Sequence, residues 1–150
     1  MMPAAAAVPP SSREGELKVD RFRILVLGSY APSLINFRGP LLSMMIARGH
    51  RVIAAAPAMP SGTAAALRAL GAEPRALRLS NASLNPFAMM RSYRELRRLV
   101  RAERSDLILS YTIKPVILGA LAGRAEGVPR IASLITGLGF AFTGSGGDLR

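Results

Sequence analysis

Five short runs of apolar residues alternate along this chain with longer segments of helical character. Short apolar runs of this kind are typical of strands that are buried on both faces of a parallel sheet. Two parallel neighbours need a crossover connection between them, and that connection is usually a helix lying on one face of the sheet. The predicted strands span residues 22–28, 50–56, 73–79, 106–111 and 130–135.

The segments between these strands carry the start and stop signals of helices. Pro40 lies in the first turn of one predicted helix, and glycines follow the ends of others. Repeated strand–helix–strand units with right-handed crossovers predict a Rossmann-like, doubly wound parallel sheet with helices on both faces. We expect this domain over residues 21–150, after a flexible tail at residues 1–20. The predicted helices span residues 39–47, 61–70, 86–104 and 115–126.

The composition excludes several kinds of functional site. Cysteine is absent and His50 is the only histidine, so disulfide scaffolds, thiol nucleophiles, iron–sulfur clusters and zinc sites of cysteine or multiple histidines are excluded. The longest uncharged stretch, residues 131–147, is too short to span a bilayer. Prolines interrupt the N-terminal stretch where a secretory signal needs an unbroken apolar run. We therefore expect a soluble or peripheral protein.

Basic residues outnumber acidic ones by 20 to 9, which gives a net charge of +11. This excess predicts an anionic partner: nucleic acid, a membrane surface or a phosphorylated substrate. Arginines at helical spacing cover one side of the segment 86–104, which suits either anionic lipid headgroups or a solvated outer face. Nucleic acid is disfavoured because these arginines are not interleaved with aromatic residues. The candidate membrane-facing residues are Arg91, Arg94, Arg98 and Arg101.

Ligands bind to such sheets beyond the carboxyl ends of the strands, so the loops there are the candidate site. The first loop, residues 29–38, lacks the Gly-x-Gly-x-x-Gly dinucleotide fingerprint, and the chain has no phosphate-binding P-loop. Its polar residues lead into a helix N-terminus, which favours anions, although they could simply cap that helix. The candidate residues from this loop are Ser29, Asn36, Arg38 and Gly39.

The fourth and fifth loops provide further candidates. Lys114 follows a predicted buried strand and could place a point charge on a phosphate or carboxylate, or remain a solvated surface residue. Gly137 and Gly139 would let a ligand approach the backbone closely, or would only make a flexible connection. Thr112 and Thr136 are the neighbouring hydroxyl-bearing candidates.

Conventional catalytic machinery cannot be assembled from these residues. The nine acidic residues are dispersed, and His50 lies at a helix-to-strand turn, on the sheet edge opposite the predicted site. We expect it to be a turn or surface residue, and we name no catalytic residue and no metal ligand. Spacing and composition alone lead to a Rossmann-like ligand-binding domain.

Two long segments resemble family-4 glycosyltransferases. The first, RILVLGSYAPSLINFRGPLLSMMIARGHRV, resembles their opening strand, loop and helix with a Gly-His-x-Val turn. The second, DLILSYTIKPVILGALAGRAEGVPRIASLITGLGFAF, resembles their Thr-x-Lys-Pro-x-x-x-Gly segment, Gly-Val-Pro turn and Gly-x-Gly-aromatic ending. The resemblance covers about residues 21–143, and the Lys-Pro and Thr-Gly-Leu-Gly segments are its most specific parts.

This resemblance implies one half of a GT-B architecture, in which an N-terminal domain holds the acceptor and a C-terminal domain binds a nucleotide-sugar. The donor would be UDP-linked, no metal or other cofactor would be needed, and the anomeric configuration would be retained. Relatives of this kind build capsule, exopolysaccharide or O-antigen, often on a polyprenyl diphosphate at the inner face of the bacterial membrane. The implied partners are a nucleotide-sugar, a lipid-linked or glycan acceptor and an anionic membrane surface. The implied location is cytoplasmic.

Two departures from the family pattern affect this interpretation. The C-terminal donor domain with its Glu-x7-Glu motif is missing from the 150 residues, so we expect no transfer by this chain alone. Thr136 occupies the position where many relatives carry a histidine, and a hydroxyl of ordinary acidity cannot easily act as a general base. The alternatives are a non-catalytic binding module, a truncated pseudo-glycosyltransferase, and an enzyme that uses a mononucleotide cofactor.

Overall fold

A computed structural model describes residues 20–78 and 85–135 of this chain. Its five strands form one parallel sheet in the order β3-β2-β1-β4-β5. Leu25, at the centre of the sheet, is in register with Ile53 on one side and Ile108 on the other. The strands are β1 (Arg23–Leu27), β2 (Arg51–Pro57), β3 (Glu73–Leu77), β4 (Leu107–Tyr111) and β5 (Arg130–Leu134). The predicted Rossmann-like sheet is therefore confirmed, whereas most of the predicted N-terminal tail lies outside the described residues.

Five helices connect these strands, and two of them have the predicted bounds. Asn85 begins the longest helix, because its side-chain Oδ1 accepts a hydrogen bond from the backbone N–H of Phe87 at 3.0 Å. That helix ends one residue earlier than predicted, because Arg104 has a left-handed backbone with φ at +47°. The helices are α1 (Ala31–Asn36), α2 (Gly39–Ala47), α3 (Ser61–Leu70), α4 (Pro86–Glu103) and α5 (Ile113–Ala125).

Two predictions at the carboxyl edge of the sheet were wrong. Residues 29–38 are not simply a loop, because they contain the helix α1. The other error concerns α5, which begins at Ile113 rather than at Pro115. Proline is tolerated in the first helical turn because the N–H groups there have no acceptor within the helix. Lys114, predicted in a loop, therefore lies in the first turn of α5.

Apolar side chains cover both faces of the sheet and form two cores. Alternate residues of β1 point to opposite faces, so Ile24 and Val26 join one core while Leu25 and Leu27 join the other. The first core also contains Leu34, Leu42 and Leu67, which come from α1, α2 and α3. The second contains side chains from α4 and α5, among them Leu96, Val100, Leu118 and Ala122. None of the described helices is both long and apolar enough to cross a membrane.

Ion pairs tie together the amino edge of the sheet. The backbone N–H and guanidinium of Arg23 both donate to Asp106, at 2.8 and 3.1 Å. Arg51 donates to Glu73 at 2.7 Å and to Glu103 at 2.9 Å, so one arginine joins β2 to β3 and to the end of α4. These hydrogen bonds lower the pKa of Asp106 and of Glu73 below the usual carboxyl values.

The strand order reverses at the carboxyl edge of the sheet, between β1 and β4, and we call the space beyond this point the crevice. From β1 the chain proceeds through β2 to β3 on one side, and then returns to β4 and β5 on the other. Connections therefore leave β1 and β4 in opposite directions, and the space between them is where open α/β sheets bind ligands. Gly28 follows β1 there and Thr112 follows β4.

Candidate functional site

The crevice between β1 and β4 is built around Tyr111, the last residue of β4. Its side chain is 4% exposed and lies against the backbone of Gly28. A methyl group added at Gly28 would overlap the Tyr111 hydroxyl and ring. Glycine at this position therefore provides the space that the tyrosine ring occupies.

A short chain of hydrogen bonds fixes the Tyr111 hydroxyl. The oxygen lies 2.8 Å from Ser33 Oγ, and Ser33 Oγ also donates to the Tyr30 carbonyl at 2.6 Å. Ser33 belongs to α1, so these contacts attach the segment after β1 to the end of β4. Burial raises the pKa of Tyr111, while the Ser33 hydrogen bond and the Arg38 charge act in the opposite direction. The phenol therefore stays protonated at neutral pH.

Arg38 lies between α1 and α2 and reaches back over the same tyrosine. Its guanidinium carbon is 5.0 Å from the centre of the Tyr111 ring, which is a cation–π distance. The Nε atom is excluded from solvent, and no hydrogen-bond acceptor among the described residues reaches it. The guanidinium is thus oriented by an aromatic face, and no carboxylate of the described residues pairs with it. A cation held in this way can bind an anion at the mouth of the crevice.

The other side of the crevice has a strained backbone. Thr112 has φ at +69° and ψ at 150°, a region that costs a β-branched residue about 1–3 kcal/mol. Its hydroxyl donates to the Tyr111 carbonyl, and α5 begins at the next residue. Lys114 is the second residue of that helix and is partly buried. Because of this strained turn, α5 begins only two residues after the end of β4, next to the crevice.

The outer side of α4 is a second distinctive surface, which we call the α4 basic face: Phe87, Met90, Arg91, Arg94 and Arg98. Together with Arg78 and Glu95 these residues line a concavity of about 830 Å³. Phe87 is 85% exposed and Met90 is 48% exposed, next to three arginines that make no ion pair within the described part of the chain. Exposed apolar side chains beside unpaired arginines are typical of helices that bind at a membrane interface.

Two other arginines of α4 have a carboxylate partner. Arg97 Nε and Arg101 Nε donate to the carboxylate of Glu126 at 2.6 and 2.8 Å. Hydrogen bonds from Arg101 and Arg97 lower the pKa of Glu126. Glu126 follows the end of α5, so this cluster joins the two helices on that side of the sheet. The charge of Arg101 is consequently offset, whereas Arg91, Arg94 and Arg98 have no carboxylate partner in residues 20–78 and 85–135.

A comparison with protein families assigns the chain to one of them. The sequence profile of the glycosyl transferase 4-like domain matches residues 39–148, which is most of the chain. The chain belongs to this family. In this glycosyl transferase 4-like domain the matched residues include α2 to α5 and the β4 side of the crevice, whereas β1, α1 and Arg38 precede them.

One curated relative of this domain acts on a lipid-linked sugar. It is the N,N'-diacetylbacillosaminyl-diphospho-undecaprenol alpha-1,3-N-acetylgalactosaminyltransferase of Campylobacter jejuni, which is 28% identical over 124 residues. The match covers 83% of this chain and 32% of the relative. The chain thus spans about a third of the length of this relative.

Solved structures show the same fold at low sequence identity. A glycosyltransferase from Rickettsia africae superposes with a TM-score of 0.60 at 15% identity, over 76% of this chain and 29% of the other. MurG from Acinetobacter baumannii superposes with a TM-score of 0.55 at 14% identity, over 74% of this chain and 34% of MurG. The A40926 pseudoaglycone deacetylase Dbv21 superposes with a TM-score of 0.62 at 18% identity, over 74% of this chain and 62% of the deacetylase. The fold is one half of the GT-B architecture, and the deacetylase shows that the fold by itself does not define the chemistry.

The structure brings together only some of the residues predicted for the site of this glycosyl transferase 4-like domain. Arg38 contacts Tyr111, Thr112 follows Tyr111 in the chain, and Lys114 lies in the first turn of α5, three residues after Tyr111. Ser29 lies just beyond Gly28 and is partly buried. Asn36 is the exposed last residue of α1, and Gly39 is the buried first residue of α2. Thr136, Gly137 and Gly139 lie outside the described residues.

Sequence reasoning missed Tyr111 and Ser33 as parts of this crevice. Tyr111 was read as the end of a strand and Ser33 as a polar loop residue, and their hydrogen bond joins segments that are far apart in sequence. His50 lies where expected, at the amino edge, where its Nδ1 accepts from the Phe22 N–H at 3.2 Å. Within the described ranges no group of three histidine or acidic residues could hold a metal ion.

Proposed function

We propose that this chain is the acceptor-side half of a bacterial glycosyltransferase that extends a sugar carried on a polyprenyl diphosphate. The observation that carries this proposal is the Arg38 guanidinium, which is fixed over the Tyr111 ring at the crevice between β1 and β4. Membership of the glycosyl transferase 4-like family and the lipid-linked substrate named for the Campylobacter jejuni relative support it.

The residues of the crevice would act by positioning and charge stabilisation. Arg38 would hydrogen-bond oxygens of the acceptor diphosphate, and Lys114 would contribute a second positive charge. Ser29, Asn36, Gly39 and Thr112 would line the acceptor site, together with Thr136, Gly137 and Gly139 from the segment after β5. Holding the acceptor hydroxyl near the donor sugar lowers the barrier because the reacting groups are already oriented.

The donor would be bound elsewhere. Because the chain spans about a third of its curated relative, we propose that residues beyond these 150 bind the UDP-linked sugar and stabilise the leaving nucleotide diphosphate. Transfer would retain the anomeric configuration and would need no metal. These 150 residues alone are then expected to bind acceptor without transferring sugar. The pathway would be capsule, exopolysaccharide or O-antigen synthesis.

The α4 basic face would place this site at the membrane. Its three arginines, for which the described part of the chain offers no ion-pair partner, would attract anionic headgroups while Phe87 and Met90 enter the interface. A lipid-linked acceptor remains in the bilayer, so a peripheral enzyme on the cytoplasmic side reaches it without a spanning helix. This arrangement would account for part of the +11 net charge without nucleic acid as a partner.

The first experiment measures acceptor binding. The 150-residue chain is titrated by calorimetry with a short-chain polyprenyl diphosphate that carries one N-acetylhexosamine. Arg38→Ala and Lys114→Ala are each expected to weaken binding at least about tenfold, because each removes a charge-assisted interaction with the diphosphate. Arg48→Ala is the matched control, since this exposed arginine follows α2 near the amino edge.

Other results of this titration would contradict the proposal. Equal losses in Arg38→Ala and Arg48→Ala would mean that net charge, and not the crevice, attracts the ligand. Tight binding of UDP together with no binding of the lipid diphosphate would favour a nucleotide-binding module. Binding of neither ligand would favour a non-catalytic domain without this ligand site.

A further inference from the structure

Packing alone does not require a tyrosine at position 111. Tyr111 ends β4 at the crevice, and its ring lies over Gly28, the first residue after β1. A smaller apolar residue at position 111 with an ordinary residue at position 28 would fill the same space. The pair Gly28 and Tyr111 instead places an aromatic ring and a hydroxyl between the two connections.

The hydroxyl fixes the position of the ring. Tyr111 Oη lies 2.8 Å from Ser33 Oγ, which in turn donates to the Tyr30 carbonyl at 2.6 Å. All three groups belong to the segments that flank the crevice. With the hydroxyl held at one end and the strand at the other, the ring has a single orientation toward Arg38.

The ring then fixes the guanidinium. Arg38 stacks at 5.0 Å from the ring centre, and its solvent-excluded Nε has no acceptor among the described residues. A buried N–H without an acceptor is unfavourable, so this placement is not explained by hydrogen bonding within the described part of the fold. A guanidinium that is already oriented loses less freedom when it binds a phosphate, which increases affinity.

We propose that Tyr111 is the positioning residue for Arg38, and that it orients the Arg38 guanidinium to bind a diphosphate ester at the crevice. The proposal rests on the proposed function, in which Arg38 binds the diphosphate. The diphosphate could belong to a polyprenyl diphosphate or to a nucleoside diphosphate. Tyr111 touches no reacting atom and acts only through Arg38.

The test compares two variants of Tyr111 in the 150-residue chain, with farnesyl diphosphate and UDP as separate probes. Tyr111→Phe keeps the ring over Gly28 but loses the Ser33 hydrogen bond that helps to orient it, so we expect binding about twofold weaker than in wild type, a smaller loss than in Tyr111→Leu. Tyr111→Leu loses the ring, and we expect binding about fivefold to tenfold weaker. In an Arg38→Ala background, Tyr111→Leu should cause no further loss, because the tyrosine acts through the arginine.

Nuclear magnetic resonance of the arginine side chains gives a readout that does not depend on the leucine variant folding. The Arg38 Nε–H signal should be displaced by the Tyr111 ring in wild type and in Tyr111→Phe, and should move when farnesyl diphosphate is added. The proposal would be overturned if one of the two probes bound to the wild-type chain and the Arg38 Nε–H signal did not move.

The outcomes separate this proposal from the proposed function. Diphosphate binding that is equal in wild type and Tyr111→Leu would refute the role of Tyr111 and leave the acceptor site intact. If Tyr111→Leu weakened the binding of UDP but not that of farnesyl diphosphate, the positioning role would be supported and a lipid diphosphate at this crevice would be contradicted. Absence of binding of both probes to wild type would refute both proposals.

Discussion

Single residues at the carboxyl edge differ in how much the fold depends on them. Gly28 has the Tyr111 ring and hydroxyl directly against its Cα, so this position accepts no side chain. Gly39 is also close to the crevice, but a methyl group added there would meet no described atom within 4 Å. One glycine is thus required by packing, and the other lies beside open space.

We therefore expect opposite results from two alanine substitutions. Gly28→Ala should lower the free energy of unfolding by about 1–3 kcal/mol, because the new methyl group displaces Tyr111. Gly39→Ala should leave it unchanged within about 0.5 kcal/mol or raise it slightly, since alanine favours helices more than glycine does. Urea denaturation followed by circular dichroism measures both, and similar losses in the two variants would contradict the described packing.

At the scale of single residues, the sequence predicted the edge of the sheet that carries the candidate site, but not the side-chain contacts that form there. Apolar runs predicted the ends of β1 and β4, and the rule for parallel sheets placed Arg38 and Lys114 at the same edge. The stacking of Arg38 on Tyr111 depends on side-chain orientations that no local pattern encodes. Thr112 has a left-handed backbone only because the turn into α5 imposes it, and threonine is not a residue that predicts such a turn.

Secondary-structure elements were the most predictable level, and α4 shows why. Its apolar positions recur with helical periodicity, and Met89, Tyr93, Leu96, Leu99 and Val100 all pack into the second core as expected. The same periodicity placed the arginines on the opposite side of the helix. It could not show that two of them pair with Glu126, because that residue comes from the end of another helix.

Acid should weaken this connection between α4 and α5. The Arg101 and Arg97 hydrogen bonds lower the pKa of Glu126, so its carboxylate contributes stability that is present above the ordinary glutamate pKa and lost as pH falls through the lowered value. Glu73 and Asp106, whose pKa values are lowered too, act in the same direction. We expect the urea midpoint to decrease when the pH falls from about 6 to about 3.

Glu126→Gln isolates the contribution of one carboxylate. This variant should be less stable than wild type at neutral pH and should lose less stability on acidification, because it has no proton to take up at that position. Wild-type pH dependence in the variant would mean that the Glu126 cluster does not stabilise the fold.

The charge of the whole molecule is unevenly distributed over its surface. Carboxylates accompany the arginines at the amino edge and between α4 and α5, whereas the α4 basic face keeps three arginines without a described partner. Net charge was readable from composition, but the sequence could not separate paired from unpaired arginines. The three-dimensional arrangement distinguishes Arg101 from the other three candidate membrane-facing arginines, because Glu126 pairs with it.

Vesicle binding tests this distribution. The triple variant Arg91→Ala, Arg94→Ala and Arg98→Ala should bind phosphatidylglycerol vesicles more weakly by about 1 kcal/mol per arginine, because each would face the lipid headgroups in the proposed membrane contact. The control is Arg48→Ala, Arg68→Ala and Arg124→Ala, which removes the same charge from exposed positions elsewhere. Binding should also decrease as salt increases. Equal losses in the two triple variants would assign the attraction to net charge alone.

The ion pairs of the amino edge have a consequence for how such a domain can diverge. Arg23 with Asp106, and Arg51 with Glu73 and Glu103, join the starts of the strands, at the edge opposite the crevice. Substitutions in the connections after β1 and β4 leave these pairs and most of the two cores untouched. A lineage built on this scaffold can therefore change its ligand through those connections while each intermediate sequence still folds.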